Sequence, residues 1–335
     1  MSVRRIVARV LAAGALLALA ACGAGTPQGS DGTVVLRVGD QLGVIKATLD
    51  SAGEGQPGDY TIQWSNFTAG PPIIAAQTGG SLDVGWMAET PLVFAQAAGS
   101  PVKVVGVSRP SDEPGGRQGF AYALVVLPDS PLRSVADLKG KAVAVRSGTV
   151  LQYMLARQLA QAGLGLNDVK TLEVTSLGTS LLDKGAADAQ TVNEPFLTQM
   201  LETGKVRVLA PGGPPVTPGF GYVVASDKAL ADPKRAKAIG DFLVRLARAN
   251  LWQNAHAAQA APALAKIYRT DPRIAHRIIE RTPSVFAPID RTVIAAHQQE
   301  ADLFHKEGLI RTRLDAGAIF DTRFNTLIQR VENSR

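Results

Sequence analysis

The sequence has few cysteines and histidines and no dense run of basic residues, and each shortage excludes a class of protein. Its single cysteine, Cys22, cannot form a disulfide within the chain. Lysines and arginines are scattered without interleaved aromatic residues, which argues against nucleic-acid binding. The histidines lack metal-ligand spacing with acids or cysteines, so we predict no metal site. They are His256, His276, His297 and His305.

Common motifs of enzymes and nucleotide-binding proteins are also missing. No GxSxG, P-loop or GxGxxG sequence occurs where a strand is predicted to run into a helix. We therefore predict neither a catalytic residue nor a bound cofactor. With 335 residues, of which 46% are hydrophobic, the chain can still bury the core of one large or two medium domains.

The amino-terminal segment has no hydrophobic run long enough to span a membrane, but it has the parts of a secretory signal. Met1–Arg9 is basic, and Val10–Ala21 is an apolar run of about 12 residues, where a spanning helix needs roughly 20. Leu19–Cys22 resembles a bacterial lipobox, which implies cleavage before Cys22 and diacylation of its thiol. An ordinary signal peptide with a chance cysteine is the alternative.

We accordingly predict a lipoprotein signal peptide at residues 1–21 and a flexible tether, rich in glycine and serine, at 22–33. The signal peptide contains three arginines and no acid, so its removal lowers the formal net charge from +6 to +3. The mature protein is thus only weakly basic, and its predicted location is extracytoplasmic, with a lipid anchor in the membrane.

After the tether, predicted strands and helices alternate at short spacing, which is typical of a parallel α/β sheet. This pattern occurs in two halves, and from Pro233 onward the chain is predicted to be helical, with Tyr222–Ser226 as the last strand. Tyr122–Leu127 and Gly219–Ser226 are candidate crossovers between two lobes. We predict an α/β fold with lobe 1 at 34–126 and 223–335, including the C-terminal helices, and lobe 2 at 127–222.

Three turns place small or hydroxyl side chains at a predicted helix start. In Phe67–Pro72 and Ala88–Pro91, a strand runs into a helix that has proline in its first turn. Arg146–Val150 is a third strand-to-helix turn, with small and hydroxyl residues but no proline. The first N–H groups of a helix have no partner within it and attract negative charge. Each turn alone is more simply a structural cap, but together they predict an anion-binding cleft.

The stretch FTAGPPIIAAQTGGSLDVGWMAETPLVFAQAAG, residues 67–99, resembles the aliphatic-sulfonate substrate-binding proteins of ABC importers, whose wider family includes taurine and nitrate binders. Asp129–Val150 and Gln298–Ile310 are similar to two further segments of that family. The resemblance implies a two-lobed periplasmic-binding-protein type II fold with a C-terminal helical segment, which closes on its ligand. It also implies delivery of the ligand to a permease and its ATPase.

The predicted ligand-binding residues come from the three turns and from neighbouring strand ends. A sulfonate has three oxygens and one negative charge, so backbone amides, hydroxyls and a guanidinium are suitable donors. Trp86 and Trp64 are candidates for the alkyl side of the pocket, although core packing is the simpler role for each. The predicted set is Gln41, Thr68, Ala69, Gly70, Ala88, Glu89, Thr90, Arg146, Ser147, Gly148, Thr149 and Glu194.

Two glutamates depart from the family pattern. Glu89 lies in Ala-Glu-Thr-Pro, where the family has Gly-Asp-Thr-Pro, and Glu194 lies in Asn-Glu-Pro-Phe, where the family has Trp-Asp-Pro-Tyr. We expect both longer carboxylates to reach further into the cleft. There they pair with a cationic end of the substrate or hold the lobes closed, and solvated surface is the alternative.

The sequence thus predicts a monomeric solute-binding lipoprotein that captures an aliphatic sulfonate or a similar small organosulfur anion. A binder of nitrate, bicarbonate or a heterocyclic precursor such as a pyrimidine is an alternative, because helix starts accept many anions. A desulfinase-like enzyme is less favoured. Some desulfinases resemble this family and use a cysteine nucleophile, and the one cysteine here is Cys22.

Overall fold

The computed structural model describes residues 33–111, 121–174 and 180–334. The predicted signal peptide, nearly all of the predicted tether and the lipobox Cys22 lie outside these ranges. Within them, strands and helices alternate over most of the chain, as predicted. None of the helices in these ranges combines the length and the hydropathy that crossing a bilayer requires.

The elements are numbered here in chain order. The strands are β1 (Val34–Gln41), β2 (Tyr60–Phe67), β3 (Val84–Ala88), β4 (Val102–Pro110), β5 (Tyr122–Val126), β6 (Ala142–Val145), β7 (Lys170–Glu173), β8 (Ala189–Asn193), β9 (Arg207–Pro211), β10 (Gly221–Ser226) and β11 (Ser284–Ala287). The helices are α1 (Val44–Ser51), α2 (Gly70–Thr78), α3 (Thr90–Ala97), α4 (Val150–Gln161), α5 (Ser180–Asp183), α6 (Phe196–Glu202), α7 (Asp227–Ala231), α8 (Pro233–Ala255), α9 (Ala257–Tyr268), α10 (Pro272–Arg281), α11 (Arg291–Lys306) and α12 (Asn325–Glu332).

The strands form two sheets of mixed direction. The first has the order β11-β4-β10-β3-β1-β2, and the second has the order β7-β6-β8-β5-β9. In the first sheet β1 is parallel to β2 and β3, and in the second β6 is parallel to β7 and β8. The strands β5, β10 and β11 are antiparallel to their neighbours. We call the first sheet with its helices the first lobe, and the second sheet with α4–α6 the second lobe.

The predicted end of the first segment of lobe 1 and the predicted last strand are both wrong. The prediction ends lobe 1 at residue 126, but Tyr122–Val126 pairs with β8 and β9 in the second sheet. Its residues from Ala123 onward are all buried, and a strand buried on both faces carries no periodicity that identifies its partners. Tyr222–Ser226 is not the last strand, because Ser284–Ala287 adds to the first sheet. Those four residues are too few to interrupt a helical pattern visibly.

An aspartate positions β3 in the first lobe and β8 in the second in the same way. The backbone N–H of Asp83 donates to the Arg37 carbonyl at 2.9 Å, and its carboxylate accepts from the Arg37 N–H at 2.9 Å. Asp188 makes the same two bonds with Ala142, at 2.8 Å each. Each aspartate thereby aligns the strand that follows it with a parallel neighbour, β3 with β1 and β8 with β6. The carboxyl ends of these strands then lie at one sheet edge, where the predicted turns begin.

Helix α8 closes the outer face of the first sheet. Asp232 caps it, since its carboxylate accepts from the N–H groups of Lys234 and Arg235 at 2.9 and 3.3 Å. The predicted apolar stripe on this helix is confirmed, because its residues are buried against the sheet. The stripe consists of Ile239, Phe242, Leu243 and Leu246.

Candidate functional site

A cavity of about 300 Å³ lies between the two sheets, and we call it the first chamber. It is lined by strand ends and helix starts of both lobes, as the three predicted turns require. Eight of the twelve predicted site residues line it: Gln41, Thr68, Ala69, Gly70, Ala88, Arg146, Thr149 and Glu194. The other four lie outside this lining: Glu89, Thr90, Ser147 and Gly148.

The first lobe contributes few backbone donors to the chamber. Helix α2 begins after Ala69, which is extended, and Pro71 and Pro72 follow Gly70 in its first turn. Prolines have no N–H, so this helix start offers fewer donors than the sequence argument assumed. The Thr68 hydroxyl and the Gln41 side chain add polar groups at the same edge.

Glycine at position 70 is needed for the two helix starts of the first lobe to meet. A Cβ atom at Gly70 would lie 2.6 Å from Pro91 Cγ and 3.1 Å from Met87 Cβ, which is closer than side-chain carbons approach. The chamber wall is therefore built from backbone packed directly against α3. The side chain of Gln41 reaches the same place, where its Nε2 donates to the Trp86 carbonyl at 3.1 Å.

The start of α1, also in the first lobe, is already occupied by an acid. Asp40 accepts from the N–H groups of Ile45 and Lys46 at 3.1 and 2.9 Å. Burial raises the pKa of Asp40 to about 6, although these hydrogen bonds oppose the shift. This helix start is thus capped from within the lobe, so its N–H groups are not available to a ligand in the chamber.

The second lobe supplies the cation of the chamber. Arg146 follows β6, and its Nε donates to the Val174 carbonyl at 3.3 Å, which holds the half-buried guanidinium against the end of β7. Thr149 precedes α4, and its hydroxyl donates to the Arg146 carbonyl at 2.8 Å. The arginine and the first turn of α4 therefore face the chamber together, and both favour a negatively charged ligand.

Ser147 and Gly148 use their polar groups within the second lobe instead. The N–H and hydroxyl of Ser147 donate to the Glu173 carboxylate at 3.2 and 2.6 Å. The Gly148 N–H donates to Gln152 Oε1 at 2.9 Å, and the left-handed φ of 70° explains why glycine occupies this position. Sequence reasoning had no means to see that Glu173 ends the neighbouring strand beside this turn.

Glu194 lines the chamber but directs its carboxylate toward a contact between the lobes. It accepts from the Thr198 N–H at 3.0 Å and from the Thr198 hydroxyl at 2.8 Å. Arg281 of α10 in the first lobe lies 3.7 Å from Glu194 Oε1 and donates to the Thr198 hydroxyl at 2.8 Å. Burial raises the pKa of Glu194, and these partners oppose the shift. Of the predicted roles, this geometry favours closure of the lobes.

Two more contacts join α6 of the second lobe to the first lobe. Arg277 forms an ion pair with Glu202, and Gln199 Nε2 donates to the Tyr268 carbonyl at 3.2 Å. Together with Glu194 and Arg281 they make the contact of α6 with α9 and α10 a polar closure surface at the edge of the chamber.

Glu89 turns away from the chamber, contrary to the expectation that it reaches into the cleft. Its side chain is 1% exposed, and neither carboxylate oxygen has a hydrogen-bond partner among the described residues. The neighbouring Thr90 donates its hydroxyl to Glu300 of α11, which is buried to the same degree. Burial raises the pKa of Glu89 to about 8 and that of Glu300 well above its ordinary value, and each carboxyl makes ionisation of the other harder.

Aromatic and imidazole side chains surround this acid pair. Burial, followed by the nearby Glu89 and Glu300, raises the phenol pKa values of Tyr122 and Tyr222. His297 lies 6.2 Å from Tyr222 between ring centroids, and burial lowers its pKa to about 4. The interior behind α3 is therefore a buried polar cluster in which neutral forms are favoured.

Three aromatic residues at the chamber wall were only partly anticipated. Trp86, Tyr122 and Tyr268 all line the first chamber, whereas the other candidate, Trp64, packs on Phe242 in the core at 6.3 Å between ring centroids. Trp86 is recognisable because it lies near the end of a strand beside a predicted turn. No local pattern marks the two tyrosines. Tyr122 begins β5 of the second lobe and Tyr268 ends α9 of the first, so the packing of the two lobes brings them together at the site.

A second cavity of about 560 Å³ adjoins the first, and we call it the second chamber. The two chambers share lining residues from both lobes, which are Val44, Trp86, Ala121, Tyr122, Tyr268 and Thr282. Among the described residues, no group of three or more histidine, cysteine, aspartate or glutamate side chains is arranged to hold a metal ion.

Comparison with known proteins agrees with this architecture. Residues 68–271 match the family described as "ABC transporter, phosphonate, periplasmic substrate-binding protein". The chain is 32% identical to the putative aliphatic sulfonates-binding protein of Escherichia coli, over 84% of this chain and 86% of that one. The chain therefore belongs to the periplasmic substrate-binding proteins of ABC transporters, and the predicted α/β class and family are confirmed.

Solved structures extend the comparison. The alkanesulfonate-binding protein SsuA from Xanthomonas axonopodis pv. citri, bound to MOPS, is 28% identical, with a TM-score of 0.75 over 86% of this chain and 98% of that one. The desulfurization enzyme DSZB is 14% identical, with a TM-score of 0.60 over 90% of this chain and 100% of that one. The second likeness concerns the fold alone.

Proposed function

We propose that this protein is the solute-binding component of an ABC importer and that it captures an organic sulfonate in the first chamber. The observation that carries the proposal is the position of Arg146 across the chamber from the starts of α2 and α3. A guanidinium and neutral hydroxyl and amide donors from two lobes suit a small anionic head group. The names of the similar proteins, which refer to aliphatic sulfonates and to bound MOPS, support the same ligand class.

Charge favours a sulfonate over the phosphonate in the family description. A sulfonate carries one negative charge at neutral pH, whereas a phosphonate takes up a second one near that pH. Among the described residues that line the first chamber, Arg146 is the one cationic side chain, and Glu194 adds an acid. A singly charged head is therefore matched by the site, and a doubly charged one is left with excess negative charge.

Ligand capture would join the two lobes. An anion that accepts from Thr68 and Gln41 on one side and from Arg146 and the first turn of α4 on the other belongs to both lobes at once. The contact of Glu194 and Thr198 with Arg281 lies beside the same chamber and supports the closed arrangement. The permease and its ATPase then receive the closed, loaded protein.

Binding without catalysis is the reading that the residues support. The sequence contains one cysteine, Cys22, which lies outside the described ranges, so no thiol is available in the chamber for a desulfinase-like step. We also propose that Cys22 carries the lipid anchor and that the protein acts as an extracytoplasmic monomer. The anchor and the location rest on the lipobox-like sequence at Leu19–Cys22.

A thermal-shift panel on the chain from Thr33 tests the ligand class. Methanesulfonate, ethanesulfonate, taurine, methylphosphonate, nitrate and bicarbonate are compared at equal concentration. A ligand present at 100 times its dissociation constant adds about 2.7 kcal/mol to the free energy of unfolding. We expect a shift with sulfonates. A shift with nitrate or bicarbonate and none with any sulfonate contradicts the proposal.

Membrane fractionation of the full chain tests the anchor. Cys22→Ser removes the thiol that a lipobox requires, so the variant is expected in the soluble extracytoplasmic fraction. If the variant stays with the membrane as the unchanged protein does, the anchor is not on Cys22.

A further inference from the structure

The second chamber differs from the first in size and in charge. It is nearly twice as large, at about 560 Å³ against about 300 Å³. The first falls at the lower end of the range of roughly 300–1,000 Å³ that is usual for pockets of drug-sized ligands. A small alkanesulfonate has no need of the second volume. A site with both chambers is therefore built for a ligand with a larger body.

The walls of the second chamber are largely apolar or neutral. Apolar surface comes from Phe220, which directly precedes β10, from Leu246 of α8 and from Phe286 of β11. Neutral hydrogen-bonding side chains are paired with one another, since Thr48 donates to Gln253 at 2.8 Å and Asn250 donates to Ser284 at 3.1 Å. Among the described residues of this wall, Arg281 is the one charged side chain, and it is bonded to Thr198 and close to Glu194.

An aromatic collar joins the two chambers. Trp86, Tyr122 and Tyr268 line both cavities. The Trp86 ring lies directly over Gly221, because a Cβ atom there would be 2.6 Å from its Cζ2 and 2.7 Å from its Nε1. Because Gly221 has no side chain, the indole of Trp86 can lie against its backbone and form part of the collar. Flat aromatic surfaces in such a position suit an uncharged ring or chain that passes between them.

We propose that the second chamber receives the uncharged body of a ligand whose anionic head is held at Arg146 in the first chamber. The substrate class is then a sulfonate with a bulky neutral group the size of one or two rings. This inference rests on the proposed function, because it assumes that the head group is held in the first chamber. It goes beyond that function in assigning the selectivity to the second chamber.

Calorimetric titration of the chain from Thr33 with two probes tests the assignment. Methanesulfonate carries the head alone, and naphthalene-2-sulfonate adds a neutral double ring. We expect the unchanged protein to bind the naphthalene compound at least about tenfold more tightly, since each 1.4 kcal/mol of added contact is tenfold in affinity. Its heat-capacity change on binding is expected to be more negative, because more apolar surface is buried.

One variant and its control separate the chambers. Gln253→Trp places a large ring in the second chamber from a half-buried position on α8, at a residue that does not line the first chamber. It is expected to weaken naphthalene-2-sulfonate by about tenfold or more and to leave methanesulfonate within about twofold. Gln253→Ala is the matched control, which also removes the bond to Thr48 but adds no bulk. It is expected to keep both affinities.

The outcomes distinguish the two proposals. Retained methanesulfonate binding in a variant also demonstrates that the variant is folded. Equal affinity of the unchanged protein for both probes, or equal weakening of both by Gln253→Trp, overturns the role of the second chamber. Binding of neither probe by the unchanged protein contradicts the proposed function itself.

Discussion

The first three parallel strands of each lobe, β1–β3 and β6–β8, are built alike and yet do different chemistry. Three pairs of residues occupy matching places at equal spacing in the sequence: Gln41 and Arg146, Asp83 and Asp188, Glu89 and Glu194. Each aspartate bonds the backbone of the first strand, and each glutamate follows the third strand. The two units share a scaffold, and what differs is burial and the partners that each side chain meets.

This difference shows how one scaffold yields two halves of a binding site. At the end of the first of these strands, the first lobe has the neutral amide of Gln41 and the second lobe has the guanidinium of Arg146, so the positive charge in the first chamber comes from the second lobe. Glu89, after β3, is buried in the interior of the first lobe. Glu194, after β8, accepts from Thr198 and lies close to Arg281 in the closure surface. The four predictions below test this comparison in order of decreasing effect.

The largest effect is expected at Asp83, whose equivalent is Asp188. Asp83 is fully buried between Arg37 and Arg235, at 2.6 and 3.3 Å, whereas Asp188 is exposed. Asp83→Asn leaves buried arginine charge without its partner and should lower the free energy of unfolding by about 3–5 kcal/mol. Asp188→Asn should cost about 1 kcal/mol. Urea unfolding measures both, and equal losses would mean that burial does not distinguish the two lobes.

The next effect concerns the ligand and compares Arg146 with Gln41. Arg146→Ala removes the cation of the first chamber, and the loss of a charged hydrogen bond of about 1.5–3 kcal/mol weakens sulfonate binding by about 10- to 150-fold. Gln41→Ala removes a neutral group that already donates to Trp86 and should weaken binding by about tenfold or less. Calorimetry measures both constants. A larger loss for Gln41→Ala would place the anion in the first lobe.

A third prediction uses pH to test the buried state of Glu89. Its raised pKa means that the folded protein keeps a proton which the unfolded chain releases, so this group's contribution to stability is lost as the pH rises from 4.5 through about 8. Glu89→Gln lacks this loss. Its stability relative to the unchanged protein should rise over that range by more than about 1.4 kcal/mol, which is the equivalent of one pKa unit.

The comparison of Glu89→Gln with the unchanged protein removes the opposite effect of His297. The pKa of His297 is lowered to about 4, so its contribution to stability is lost as the pH falls from 6.5 toward 4, in both proteins alike. Thermal unfolding from pH 4 to pH 9 measures the difference. If the two stability curves stay parallel, Glu89 ionises in the folded protein as it does in water.

The smallest effect is expected in the closure surface. Arg281→Gln removes the half-buried charge beside Glu194 and Thr198, and it should speed ligand dissociation by about fivefold, or roughly 1 kcal/mol. Arg277→Gln removes a more exposed ion pair with Glu202 and should change the rate less. Stopped-flow dissociation measures both. Unchanged rates in both variants would separate this surface from ligand release.

The turns of the site were largely predictable, because their signals are local. A helix start is written in consecutive residues, with proline in the first turn of α2 and α3 and small or hydroxyl residues before α4, and all three starts lie within a residue or two of the prediction. The family signature over 67–99 contains the first two of these turns. Thr68 and Arg146 lie in the predicted turns and do line the chamber.

The errors have one physical origin, which is contact between distant segments. Glu89 is buried near Glu300 of α11, and the Ser147 hydroxyl donates to the Glu173 carboxylate. Both partners are distant in sequence from the residue that they contact. The pairing of Tyr122–Val126 in the second sheet likewise depends on β8 and β9. Local spacing predicts where a turn begins. It carries no information on whether a side chain in that turn points into the cleft or packs against a distant element.

By itself, the sequence determined the α/β class, the family and the three turns where strands meet helices, because proline placement and apolar periodicity act over a few residues. Only the tertiary structure decided which glutamate is sealed inside and which lies in the closure surface. The same is true of the aromatic collar and of the second chamber, whose walls come from β4, β10, α8 and β11. Burial and partner choice are properties of the folded chain, and they distinguish two lobes that share one scaffold.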